Sequence, residues 1–476
     1  MSPKQNRIEQ AGPAGNIPLM CRLRMLPIAT LFLLAPLCPV FSAESSYLEQ
    51  EKAVLARIKS PVFPAADFVI TDHGAKAGTD CSEAIAKAIE ACHRAGGGRV
   101  VIPQGVWLTG AVRLLSGVNL HVAEGATLRF IPDPKKYLPA IPTRFEGMEL
   151  IGLSPLIHAN GQENIAITGK GTLDGSADAQ HWWPWKGNKK HSDGPSQKAD
   201  RDRLDQQTKD GIPPKERLYG EGHYLRPSFV ETNGCKNVLI EGVTLTNAPM
   251  WVLHPLLCVN VTVKGVKVRS HGPNNDGCDP ESCRYVLIED CVFDTGDDCI
   301  AVKSGRNDDG RRVGIPSEDI IVRRCVMKDG HGGVTMGSEI SGGVRNVFVS
   351  DCVMDSPNLD RAFRFKSNAV RGGVIENIRF RDIRLGQVDK AVLGVEFDYE
   401  EGANGPHHPI LRDVSIERVT GEACGRVVAI NGIPGATISG IRFADCRFKG
   451  VRNTDLIKDA LPPAMERVEI ERTSAK

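Results

Sequence analysis

The sequence predicts an all-β protein wound as a parallel β-helix and closed at its N-terminal end by a short helix. Three observations carry this expectation. One strand phrase recurs along most of the chain, turn formers are abundant while aromatics are scarce, and an amphipathic helical stretch stands just before the first strand. Gly 49 and Pro 30 against 5% aromatic residues in 476 is a balance suited to many short turns between strands.

From Asn164 onward, a polar marker is followed by apolar residues at the first and third positions, a two-residue turn, and two more alternating apolar residues. Asn237 leads Val238, Ile240, Val243 and Leu245; Asn260 leads Val261, Val263, Val266 and Val268; Tyr285 leads Val286, Ile288, Cys291 and Phe293. Asp319, Asn346, Asn377, Asp413 and Gly440 open the same phrase, with markers 23 to 36 residues apart. Period-2 alternation means strands, and so short a unit cannot bury its apolar face alone, so it stacks on copies of itself. A propeller blade needs about 40 to 45 residues and a leucine-rich horseshoe needs fixed leucines, which leaves the β-helix.

A solenoid end exposes unpaired strand edges and needs a cover. Cys81 to Cys92 reads as an amphipathic helix with Asp80 as N-cap, Glu83 three positions on, and Gly96 to Gly98 as its stop. Arg99 to Pro103 then opens the ladder of strands. The interval from Asn164 to Asn237 spans 73 residues, and within it Ser176 to Arg226 is polar and turn-rich, which marks a large insertion. It holds Trp182, Trp183 and Trp185, which form either a sugar-stacking wall or the loop's own small core.

Cys21 to Ala43 joins two arginines to an apolar stretch broken by Pro27, Pro36 and Pro39 and ends in small residues. This reads as a secretory signal cleaved near Ala43; a membrane span would need about 20 uninterrupted apolar residues. Residues 44–476 would then be a single catalytic β-helix, secreted or periplasmic, with 176–226 inserted. Lys+Arg 59 against Asp+Glu 58 leaves +1, so nothing global points to nucleic acid or a membrane surface, and a monomer is expected. Of 14 cysteines, 12 remain beyond Cys38. Cys291, Cys325, Cys352 and Cys446 share one slot of the strand phrase and should stack as small buried side chains, while a Cys278–Cys283 bridge stays open.

Chemistry gathers between Asn274 and Lys366. Successive coils carry Asn274-Asn275-Asp276, Gly296-Asp297-Asp298, Gly330-His331-Gly332 and Arg364-Phe365-Lys366 at similar offsets from their markers. Stacked strands lie about 4.8 Å apart, so Asp276 should face Asp297 and Asp298 across one coil step. Like charges that close raise at least one pKa, giving an acid beside ionised partners, the division of labour glycoside hydrolysis requires. Each turn alone is a favourable structural turn, and an acidic cluster can also hold calcium; four such turns in consecutive coils favour catalysis.

At these residues the chain resembles the polygalacturonase family, glycoside hydrolase family 28, and within it the exo-acting polygalacturonases. The four signatures appear in order, and the likeness runs from about Asp67 to Ile470. It implies a single-stranded right-handed parallel β-helix of the pectin-lyase-like kind that hydrolyses α-1,4-galacturonosidic bonds of pectin with inversion, needing no cofactor and no metal. It further implies Asp297 as general acid, Asp276 and Asp298 as the base pair holding water, and His331 beside the acid. Arg364 and Lys366 would pair with a substrate carboxylate, with Asn274, Lys303 and Tyr399 as further substrate contacts. Asn275 and Phe365 replace the usual threonine and isoleucine.

If the insertion walls off one end of the cleft, the enzyme takes sugars from chain ends. Rhamnogalacturonan- or xylogalacturonan-type hydrolysis is the nearest alternative. A calcium-dependent pectate lyase and a non-catalytic glycan-binding β-helix are the rivals from other classes.

Overall fold

The computed structural model describes residues 43–187 and 195–473. The expected signal segment, Ala43 excepted, lies outside the described residues. The strands wind into a right-handed parallel β-helix. Its long faces are a 14-stranded and a 16-stranded sheet, and a shorter four-stranded sheet completes the early coils. Among the described residues every strand pairing is parallel except one hairpin, Ile141–Phe145 with Met148–Gly152.

The recurring phrase accounts for this stacking. Val238, Val261, Val286, Ile320, Val347, Ile378, Val414 and Ile441 stand in register across seven successive pairings, and all are buried. The markers turn the chain into each strand through the left-handed region, with φ between 54° and 64° at all nine, from Asn164 to Gly440. That conformation costs an ordinary side chain about 1–2 kcal/mol and is least costly for Gly, Asn and Asp. The asparagines also bond one another between coils: Asn237 Nδ2 donates to Asn164 Oδ1 (2.9 Å) and Asn260 Nδ2 to Asn237 Oδ1 (2.7 Å). Asn346 and Asn377 continue the ladder from Asp319 at 2.8 and 2.7 Å. Tyr285 is the exception in type, and the Arg284 guanidinium lies over its ring.

Helix α1 (Ala43–Leu55), which the periodicity did not indicate, carries only scattered apolar residues. From Tyr47 on it clasps the outer face of the first sheet: Val54 packs with Leu287, Ile321 and Phe348, and Arg379 stacks over Tyr47 at 3.8 Å. Helix α2 (Ser82–Arg94) is the expected cover, its Ala84, Ile85, Ala88, Ile89 and Cys92 buried on the core. Its cap sits one residue later than Asp80. Cys81 takes the N-cap position, and the Asp80 carboxylate accepts the Ser82 N–H at 3.0 Å, capping from outside. The first strand of the ladder after α2 starts at Gly98.

The insertion folds as a 3-10 turn, Trp183–Lys186, and helix α3 (Lys198–Lys209). Leu204 and Tyr219 pack with Phe145, Met148 and Leu150 of the hairpin in a satellite core. All 12 described cysteines are free and buried, Cys278 and Cys283 included, so that bridge does not form. No described helix is long and apolar enough to cross a membrane.

Candidate active site

The turns that leave the strands of the second sheet bring the three predicted carboxylates together. Asp276, Asp297 and Asp298 each place an oxygen within 4.8 Å of the others. Asn275, where the resemblance expects threonine, ties the first turn: its Oδ1 accepts from Ser270 Oγ (2.6 Å) and the Gly272 N–H (2.8 Å). Its Nδ2 donates to the carbonyls of Ala248 and Met250. Gly332 is a steric requirement of the third turn, since a Cβ there would lie 2.7 Å from Asp298 Oδ1. Phe365 points into the core against Phe380.

Each carboxylate has a different partner. Asp298 is fully buried, with Lys366 Nζ 2.6 Å from one oxygen and Arg364 Nη1 3.2 Å from the other. Burial presses its carboxyl upward, but those two cations hold it well below the usual range. Asp297 meets His331 Nδ1 at 2.9 Å. Burial is again the largest single influence and acts upward, but the His331 hydrogen bond and the charges of His331 and Lys366 together leave Asp297 below its ordinary value, and the bond to Asp297 raises His331 above its own. Asp276 has only Lys303 at 3.4 Å and one oxygen without a partner. Burial first, and then the charge of Asp297, push it up to about 7.

The raised carboxyl of the cluster is that of Asp276. Asp297, which the resemblance gives as the general acid, is held lower than Asp276 because it has His331 and Lys366 to answer its charge.

Two cavities meet at Asp297. The larger, open one, about 590 Å³, is lined by Trp183, His271, His331 and Arg364; the smaller, about 90 Å³, by Trp251, Glu339, Glu146 and Arg201. Lys186, Asn274, Asp297 and Tyr399 line both. Asn274 is already held, its Oδ1 accepting from Arg226 Nη2 at 2.8 Å. Lys303 lies over the Trp251 ring at 4.4 Å and bonds Glu339 at 3.2 Å. Lys366 sits 5.4 Å from the centre of the Tyr399 ring. Arg364 and Lys366, the expected substrate contacts, line the open and the smaller cavity respectively and also bond Asp298, with Arg364 reaching Glu396 at 2.8 Å.

The tryptophans divide. Trp182 is core, edge-on to Tyr137 and Trp185, while Trp183 borders the open cavity with Nε1 donating to the Ala248 carbonyl at 2.9 Å. Its indole lies against Gly272, where a Cβ would come within 2.2 Å.

The smaller cavity is lined in part by residues the sequence did not single out. Glu146 of the hairpin receives Arg201 of α3 (2.6 Å) and Arg306 (3.1 Å), and Arg306 reaches on to Glu400 (3.5 Å). These come from four separate segments, so no local motif announces them. Glu339 follows the strand next to that of Lys303, and only its coil position could have marked it.

Among the described residues, two donor groups are compact enough to share a cation: the carboxylate trio, and His271 with Asp294 and Asp329. In the trio, Lys303, Lys366, Arg364 and His331 already answer the negative charge. In the second, His271 Nε2 lies 2.9 Å from Asp294, and Asp329 accepts from Ser356 and Asn358.

Residues 219–464 match the family described as glycosyl hydrolases family 28. The chain belongs to that family. This family 28 glycosidase superposes on the crystal structure of a hyperthermoactive exopolygalacturonase from Thermotoga maritima with a TM-score of 0.87 and 44% identity, over 89% of this chain and 96% of that one. It is 27% identical over 361 residues to a probable polygalacturonase of Vitis vinifera and 29% over 359 to an exo-poly-α-D-galacturonosidase of Dickeya chrysanthemi. Those matches cover 73% and 70% of this chain but 66% and 57% of the two relatives, so the family 28 chain spans less than two thirds of either.

Proposed function

We propose that this family 28 glycosidase hydrolyses α-1,4-galacturonosidic bonds of pectic polyuronate, releasing sugars from the chain end with inversion, outside the cytoplasm. The observation that carries the reading is the carboxylate trio at the junction of a large open cavity and a smaller one walled by an ion-pair network. In this reading the chain end enters the smaller cavity and the polymer continues through the larger one.

Asp297 is the general acid, facing the scissile oxygen from the wall common to both cavities. Asp276 and Asp298, each pinned by an ammonium, hold the attacking water and accept its proton. In the resting trio the proton belongs to Asp276, so the reactive form is the tautomer with that proton on Asp297. The pair then titrates as a unit rather than as two residues. The wall of Glu146, Arg201, Arg306 and Glu400 supports the exo reading, as does the likeness to the Thermotoga maritima exopolygalacturonase.

The trio is tighter than the roughly 6.5–9.5 Å usual for inverting pairs. Inversion is favoured here because both base-side carboxylates are immobilised by cations, which suits holding water better than attacking carbon.

Digestion of polygalacturonate tests the whole reading. Monogalacturonate should accumulate from the first minutes with little fall in viscosity, and proton NMR should show the anomer opposite to the substrate linkage. The products should lack ultraviolet absorbance, and chelator should have no effect. Early mixed oligomers, the retained anomer, or an absorbing unsaturated product would each overturn the corresponding part.

A further inference from the structure

The cations around the two cavities are, with one exception, already neutralised by protein carboxylates. Arg364 and Lys366 serve Asp298, Lys303 serves Asp276 and Glu339, and Arg201 and Arg306 serve Glu146. The exception is Lys186. Among the described residues its side chain has no carboxylate oxygen within 4.0 Å and no hydrogen bond, yet it lines both the larger and the smaller cavity.

Its backbone is well fixed. Lys186 ends the 3-10 turn whose Trp182 is buried against Tyr137 and whose Trp185 packs edge-on to Tyr224, with the Gln197 N–H bonded to the Trp185 carbonyl at 2.7 Å. It feels the negative charges of Glu146 and Asp297, one beside the smaller cavity and one at the expected point of cleavage, against the like charges of Arg226 and Arg201. An ammonium left unpaired in a half-buried site is a vacancy for an anion, because a charge-assisted bond there replaces lost hydration.

We infer that Lys186, brought by the inserted segment, binds the carboxylate of the uronate unit at the scissile bond and so selects free acid over methyl ester. This rests on the proposed polyuronate hydrolysis and names the group that reads the acid. The remaining chemistry agrees: burial lowers the Lys186 ammonium from its usual value, and a bound carboxylate would restore it.

The experiment compares wild type, Lys186→Gln and Lys186→Arg on trigalacturonate and on its methyl ester. Lys186→Gln should raise KM for the acid about tenfold, with kcat within about threefold, and Lys186→Arg should recover most of the loss. On the methyl ester the wild type and Lys186→Gln should converge. Calorimetric titration of trigalacturonate into each protein at rising salt supplies a readout without turnover, and the wild-type advantage should shrink as salt screens the pair. Unchanged KM and affinity, or an equal loss on acid and ester, would overturn the assignment while leaving the hydrolase reading intact. Binding that depends on Lys186 without any hydrolysis would do the reverse.

Discussion

Asp297 and His331, 34 residues apart in the chain, meet at 2.9 Å across one coil step, and that contact leaves the proton of the carboxylate trio on Asp276. The consequence is a pH dependence set by Asp276. Below about 7 the trio carries one proton, which the reactive tautomer moves to Asp297; above it that proton is lost and no acid remains. The log of kcat/KM for trigalacturonate should therefore fall with a slope approaching one above about pH 7. A rate that climbs between pH 7 and 8.5 would mean that the ionised base, not the shared proton, limits catalysis.

Asp297→Asn keeps the shape of the side chain and removes the acid. The expected loss in kcat is on the order of 10²–10⁴, with substrate affinity retained by calorimetry. A loss below tenfold would contradict the role given to Asp297.

The same cluster should weaken the fold. Asp276 titrates near 7 in the folded protein against 3.8 unfolded, so its ionisation is disfavoured by folding. The stability it permits is fully present below about pH 4 and is lost as pH rises to about 7. Asp276→Asn removes that penalty and should raise the melting temperature at pH 8, by an amount corresponding to about 2 kcal/mol, with little effect at pH 4. Equal shifts at both pH values would trace the gain to packing instead.

Stacking order was legible because the strand phrase repeats with its marker, and a marker forced to φ near 60° is a residue type the sequence displays openly. The trio was legible for the same reason: turns at equal offsets in a solenoid lie side by side. What stayed hidden depended on contacts without a period. Glu146, Arg201, Arg306 and Glu400 converge from segments as far apart as 254 residues. The reach of Arg364 and Lys366 to Asp298 two coils back is set by side-chain length rather than by the backbone register. Helix α1 was silent because a helix laid across a flat sheet needs only Val54, Leu55 and Tyr47 to grip, too few to give a periodic signal.

If the ion-pair wall makes the enzyme exo-acting, loosening it should change the products. Arg201 links α3 to the hairpin through Glu146 and approaches Glu400 at 3.4 Å, and it is only partly buried, so its loss spares the core. Arg201→Ala should increase the share of di- and trigalacturonate in early digests of polygalacturonate and steepen the fall in viscosity per bond cleaved. An unchanged product ratio would place the barrier elsewhere.

The asparagine ladder makes a separate prediction about stability. Asn260 accepts the Lys59 N–H at 3.0 Å, and its Nδ2 reaches the Lys59 carbonyl and Asn237 Oδ1 at 2.7 Å each. It therefore joins neighbouring coils to each other and to the segment that follows α1. Asn260→Ala loses all three bonds, each with a net value of about 1 kcal/mol, and sets a Cβ without compensation at φ 64°. The denaturation midpoint should fall by an amount corresponding to about 2–4 kcal/mol. Asn260→Gly loses the same bonds but tolerates that φ, so it should be less damaging by about 1 kcal/mol. Equal losses in the two variants would show that the hydrogen bonds alone govern the marker position, and a loss below about 0.5 kcal/mol in both would remove the ladder from the forces that hold the coils in register.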